Sequence, residues 1–125
     1  MTRILVIDDQ DNIRRALRTV LERAGYEVRE ARSGHDAVRL WREEPSDLVI
    51  TDIHMPDKGG IDTILELRAL NPNLPVIAMS GSGQSTCREL LRDAKLLESI
   101  RTLDKPFRLT EVLDCVSDVL SARGR

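Results

Sequence analysis

The sequence predicts an α/β fold: a single doubly wound sheet of five parallel strands with five helices around it. Three observations predict it. Short apolar runs alternate with amphipathic stretches five times along 125 residues. Three of those runs, at 4–7, 48–50 and 76–79, are continuous, the pattern of strands buried on both faces. The other two, at 26–31 and 100–103, alternate apolar with polar or charged residues and suit the edges of the sheet. With the second and fifth strands outermost, the order 2-1-3-4-5 satisfies the pattern. It places a topological switch between strands one and three.

Each element can be justified in turn. Ile4-Leu5-Val6-Ile7 forms the first strand and ends on Asp8-Asp9. Ile13, Ala16, Leu17, Val20, Leu21 and Ala24 then recur at helical spacing on one face, with Arg14, Arg15, Arg18, Glu22 and Arg23 on the other. Gly25 stops that helix. Tyr26 to Ala31 forms the edge strand, and Ser33-Gly34 opens a second helix with Ala37, Leu40 and Trp41 inward and Pro45 at its end. Leu48-Val49-Ile50-Thr51-Asp52 is aliphatic and partly β-branched, and the turn chemistry of Met55-Pro56-Asp57-Lys58-Gly59-Gly60 follows it. A third helix carries Ile61, Ile64 and Leu65 and closes at Asn71-Pro72-Asn73. Val76-Ile77-Ala78-Met79 ends at Ser80, and a fourth helix carries Leu90, Leu91, Ala94 and Leu97. Ile100 to Leu103 leads into Lys105-Pro106. The last helix presents Leu109, Val112, Leu113, Val116, Val119 and Leu120.

Composition narrows the function classes. At 41% hydrophobic and 32% charged, with a formal charge of −2, the chain has the make-up of one compact domain spanning 1–125, with no output domain expected after it. No basic run exists, and the aromatic residues are Tyr26, Trp41 and Phe107 alone, so direct nucleic-acid binding is not expected. No apolar run reaches membrane-span length and no signal peptide opens the chain, so a cytoplasmic location without membrane contact is expected. Cys87 and Cys115 lack metal-ligand spacing and read as reduced, packed thiols.

The chemistry lies at the strand ends. Asp8, Asp9, Asp52, Ser80 and Lys105 follow strands one, three, four and five, where open α/β sheets hold their ligands. Two carboxylates about 4 Å apart repel by roughly 4 kcal/mol at an effective dielectric near 20, so such a cluster must protonate, pair or recruit a cation. Its all-oxygen donors favour a hard ion, Mg²⁺ in particular. Lys105, one of three lysines, supplies a point charge for phosphoryl oxygens, and Ser80 supplies a hydroxyl donor. A carboxylate nucleophile, a divalent ion, a lysine and a hydroxyl together make a phosphoryl-transfer site.

Ile4 to Asp9, Asp52-Ile53-His54-Met55-Pro56, Met79-Ser80-Gly81 and Leu103-Asp104-Lys105-Pro106-Phe107 resemble the receiver domain of two-component response regulators over essentially the whole chain. The resemblance implies a flavodoxin-like fold. It makes Asp52 the phosphoacceptor, supplied by a sensor histidine kinase, a phosphotransfer protein or a small phosphodonor. It implies Mg²⁺, or Mn²⁺ in its place, bound by Asp9 directly, by Asp8 through water, by Asp52 and by the backbone carbonyl of His54. Ser80 and Lys105 would hold the phosphoryl oxygens, and Ser80 would move toward the phosphate. Output would pass to a downstream protein through the surface of the fourth helix, fifth strand and last helix. Thr102 stands where the family usually has an aromatic residue, and Glu98-Ser99 where it commonly has Gly-Ala. Gly81-Ser82-Gly83 reads as a mobile, open loop.

Two other classes compete with this reading: a receiver-like interaction module that is not phosphorylated, and an aspartyl-nucleophile phosphohydrolase. Intact Asp8, Asp9, Asp52 and Lys105 oppose the first. The second usually needs an acid two residues after the nucleophile, where His54 stands. His54 itself reads either as a rim residue or as an exposed loop histidine. Asp57, Asp62, Asp104 and His35 read as surface groups, and Trp41 and Phe107 as core.

Overall fold

Residues 1–55, 58–81 and 100–123 are described by the structure, a computed structural model. Their elements run β1 (Arg3–Ile7), α1 (Asp11–Arg23), β2 (Glu27–Ala31), α2 (Gly34–Glu43), β3 (Leu48–Asp52), α3 (Gly60–Leu70), β4 (Val76–Ser80), β5 (Ile100–Asp104) and α4 (Leu109–Arg123). All neighbouring strands pair in parallel in the order β2-β1-β3-β4-β5, as the burial pattern predicts. The fourth helix expected around Leu90 to Leu97, the loop beyond Gly81, Glu98-Ser99, Cys87 and Asp57 lie outside the described residues.

Alternation along the strands sends side chains to two separate cores. Leu5, Ile7, Val49, Val76 and Ala78 pack against Ala37, Val38 and Trp41 of α2 and Ile64 and Leu67 of α3. Ile4, Val6, Leu48, Ile50, Ile77 and Met79 face Leu17 and Leu21 of α1 and Val112, Cys115 and Val116 of α4. Each fully buried Leu or Ile contributes roughly 1.5–3 kcal/mol, so this double layer fixes the sheet against slippage. In the register, Ile7 lies beside Thr51, Asp52 beside Met79 and Ser80 beside Asp104. The strands therefore finish at one level, with their terminal polar residues gathered at one edge.

Local signals account for the joins. The Ser33 side chain caps α2 by accepting from the Asp36 amide at 3.1 Å. Gly34 lets α2 approach α3, because a Cβ there would lie 2.1 Å from Thr63 Oγ1. Burial pushes the Cys115 thiol above its ordinary range, consistent with a packed rather than reactive cysteine.

Five residues sit on other helix faces than the sequence suggests. Arg14, placed outward by sequence, is buried at 4% exposure, whereas Ala16 and Ala24 are exposed. Arg14 precedes Leu17 and Leu21 by three and seven positions and so shares their stripe. Ala16 instead lines a groove of about 500 Å³ with Pro106, Phe107 and Leu109. On α3 the buried positions are Gly60, Thr63, Ile64 and Leu67, and Leu65 falls one step off that stripe at 51% exposure. Leu109, at the start of α4, is 41% exposed on the groove wall.

Candidate functional site

The site begins where β1 stops. Asp8 is fully buried, its amide donating to the Ala31 carbonyl at 3.1 Å and its Oδ1 accepting the Gln10 amide at 2.9 Å. Asp9 is exposed beside it. Asp52, the last residue of β3, is 5% exposed, and its Oδ1 accepts the His54 amide at 3.3 Å. Carboxylate oxygens of Asp8, Asp9 and Asp52 all lie within 4.8 Å of one another. Lys105 reaches in from beyond β5, with Nζ 3.2 Å from Asp8 Oδ2 and 3.4 Å from Asp52 Oδ2. Its amide donates to the Ser80 carbonyl at 2.7 Å, and the Lys105–Pro106 peptide bond is cis.

Charge explains why the lysine sits there. One ammonium between two buried carboxylates offsets their repulsion, yet the cluster keeps an excess of negative charge. Burial pushes the Asp8 carboxyl above the usual carboxylate range, while the Gln10 amide and the Lys105 ammonium act in the opposite direction. Three oxygen donors at mutual reach, one exposed and two buried, suit a hard divalent ion that keeps part of its water.

Ser80 is 1% exposed, and its hydroxyl donates to Asp104 Oδ1 at 2.9 Å. Asp104 is exposed, as expected, but its carboxylate does not point away from the site residues. It is the register partner of Ser80, so both side chains leave the same face of the sheet. His54 is partly buried rather than exposed, and its backbone amide lies against Asp52 Oδ1. Its Nε2 is buried without a hydrogen-bond partner among the described residues. Asp62 and His35 are exposed as expected, Trp41 is core, and Phe107 packs partly buried against the α1–α4 side. Thr102 is partly buried beside Ala78, on the same face as Ser80 and Asp104.

Sequence reasoning passed over two supports of this site. Gly60, first residue of α3, donates its amide to the Ile53 carbonyl at 3.0 Å, and a Cβ there would lie 2.1 Å from the Asp52 carbonyl oxygen. The Gly59-Gly60 pair after the strand was the available signal. Arg14 donates from Nη1 to the Asp8 carbonyl at 2.9 Å and from Nε to Glu30 Oε1 at 3.0 Å, and it also pairs with Asp11. It therefore braces the turn that presents Asp8 and Asp9.

Glu30 links this brace to β2. Burial opposes its charge, but the guanidiniums of Arg18 and Arg14 outweigh that and hold it below its ordinary range. A folded-state value below the unfolded one stabilises the protein above the usual glutamate value near 4.5, and that contribution is lost as pH falls through the folded value. Melting temperature followed against pH should therefore drop more steeply in acid for the wild type than for Glu30→Gln. The variant should lose about 1–2 kcal/mol at neutral pH. Parallel acid limbs would remove Glu30 from this role.

Comparison with known proteins agrees with the geometry. A family model described as the response regulator receiver domain matches residues 4–117. This chain belongs to that family. The receiver is 34% identical to the chemotaxis protein CheY of Thermotoga maritima over 94% of this chain and 96% of that protein. It is 40% identical to the DNA-binding transcriptional regulator NtrC of a Bradyrhizobium strain, over 94% of this chain but only 24% of that protein's length. The solved response regulator TrrA of Thermotoga maritima, in complex with Mg²⁺–BeF, superposes with a TM-score of 0.80 at 31% identity, covering 95% of this receiver and 99% of that chain. No helix among the described residues is long and apolar enough to cross a membrane.

Proposed function

We propose that this receiver accepts one phosphoryl group on Asp52 from a sensor histidine kinase or phosphotransfer protein and signals by binding a downstream protein in the cytoplasm. The supporting observation is the placement of a buried Asp52 carboxylate at a strand end, with Asp8 and Asp9 beside it and Lys105 Nζ 3.4 Å from its Oδ2. An Asp52 oxygen attacks phosphorus, the P–N bond of the phosphohistidine donor breaks, and the imidazole leaves with the electron pair and takes up a proton. Asp8, Asp9, Asp52 and the His54 carbonyl would hold Mg²⁺, which when bound supplies positive charge to the phosphoryl oxygens. Lys105 already spans the two buried carboxylates and can give one of its hydrogens to a phosphoryl oxygen, and Ser80 can give its hydroxyl hydrogen to another. Each new donor contact draws Ser80 and Lys105 toward Asp52, which changes the ends of β4 and β5 and the surface built on them.

Incubation with acetyl phosphate and Mg²⁺ should add one phosphoryl group per chain by intact mass, and chelation of the metal should abolish the gain. Uptake that ignores chelation, or no uptake at all, would remove this reading.

A further inference from the structure

The Ser80 hydroxyl has one hydrogen, and the structure shows where it goes. It is donated to Asp104 Oδ1 at 2.9 Å, from a side chain almost wholly buried to a carboxylate at the exposed end of β5. The pair is fixed by the sheet, because Ser80 and Asp104 are register partners in β4 and β5. Lys105, next along the chain, turns the other way and spends its ammonium on Asp8 and Asp52. The two groups read as phosphoryl holders are thus committed elsewhere, and only one of them to the acidic cluster.

We propose that Asp104 is a positioning residue that holds the Ser80 hydroxyl away from the phosphoryl site and so restrains the receiver in its resting form. This rests on the reading of Asp52 as phosphoacceptor and of Ser80 as a phosphoryl contact. A hydroxyl cannot give its single hydrogen in full to two acceptors, so a phosphoryl oxygen must win it from Asp104. The competitor is strong, since a charged acceptor makes a tighter hydrogen bond than a neutral one. Because Asp104 is exposed, its carboxylate can swing into water and be solvated once the hydroxyl leaves. The restraint is therefore reversible. It raises the threshold for the active arrangement without blocking it.

Beryllofluoride, which stands in for the phosphoryl group on a carboxylate, gives the test. Its dissociation constant in the presence of Mg²⁺ should tighten about fivefold in Asp104→Ala, because the competing bond is gone. Asp104→Asn, which keeps an acceptor oxygen but loses the charge, should fall between. In a Ser80→Ala background, Asp104→Ala should change the constant less than twofold. An equal gain in that background would show a simple field effect of the charge and overturn the proposal, as would unchanged affinity in Asp104→Ala with Ser80 intact.

A second measurement needs neither metal nor beryllofluoride. In thermal unfolding of the metal-free chain, Asp104→Ala should lower the melting temperature when Ser80 is present and leave it unchanged in Ser80→Ala. Additive shifts would overturn the proposal. Failure of the wild type to bind beryllofluoride would instead remove the phosphoacceptor reading and this inference with it, whereas wild-type binding with no response at Asp104 removes the inference alone.

Discussion

Asp52→Asn should take up no phosphoryl group under conditions in which the wild-type receiver gains one. Four other oxygen nucleophiles stand nearby, and the structure separates Asp52 from each. Asp8 is wholly buried, and its Oδ1 is tied to the Gln10 amide. Asp9 is exposed and without the lysine contact that Asp8 and Asp52 share. The hydroxyl of Ser80 donates to Asp104 Oδ1, and Asp104 is exposed at the end of β5, without the Lys105 contact that Asp52 has. Asp52 Oδ1 is held by the His54 amide, which leaves Oδ2 beside Lys105. An amide at this position is a poor nucleophile and carries no charge. The fold itself should be little affected. Losing the charge removes attraction to Lys105 but also repulsion from both Asp8 and Asp9, interactions of about 4 kcal/mol each near 4 Å at an effective dielectric near 20, so the variant should melt no lower than the wild type. Intact mass after acetyl phosphate treatment, together with a melting curve, checks both halves. Full labelling of Asp52→Asn would move the acceptor to another carboxylate.

Gly60→Ala should be the most damaging glycine-to-alanine change in the described helices, because its new Cβ meets backbone where that of Gly34 meets side chains. Intrinsic helix preference favours alanine over glycine by about 1 kcal/mol. Sterics decide otherwise. The new Cβ would lie 2.1 Å from the Asp52 carbonyl oxygen and 2.7 Å from Ile53 Cα, and both are backbone atoms that cannot rotate away. Either α3 lifts from the sheet, uncovering Ile64 and Leu67, or the end of β3 shifts and carries Asp52 with it. Overpacking of this kind costs typically 1–3 kcal/mol and more where backbone must move. A net loss of about 2 kcal/mol should lower the melting temperature by roughly 8 °C. Phosphoryl uptake should slow in the same variant if Asp52 is the acceptor, since Asp52 is displaced relative to Lys105. A melting temperature equal to or above the wild type would mean that α3 can retreat freely and that Gly60 has no part in seating Asp52. The neighbouring Gly59 offers a control, because a Cβ there meets only the Ile53 carbonyl oxygen at an ordinary 3.7 Å.

The sequence alone determined the architecture of this receiver. Hydrophobic periodicity reports how many faces of an element are buried, and in an α/β chain that is enough to rank strands from centre to edge. Once the order is known, the residues that end each strand must share one rim, which is why Asp8, Asp9, Asp52, Ser80 and Lys105 could be grouped before any coordinates. Their resemblance to known motifs then supplied roles for them.

Tertiary structure decided what those residues touch. Periodicity gives the direction of a side chain but not the partner that a different element brings to meet it. Arg14 reads as an outward cation until the Asp8 carbonyl and Glu30 are delivered to its guanidinium, and Glu30 comes from β2, sixteen residues away. Gly60 is an ordinary helix start until the Asp52 carbonyl is found where its side chain would be. Asp104 is a surface acid until strand register sets it beside Ser80. In each case a polar group is satisfied across a gap in sequence that only the packed sheet closes, and hydrogen-bond geometry is too sharp in distance and angle for one-dimensional spacing to specify.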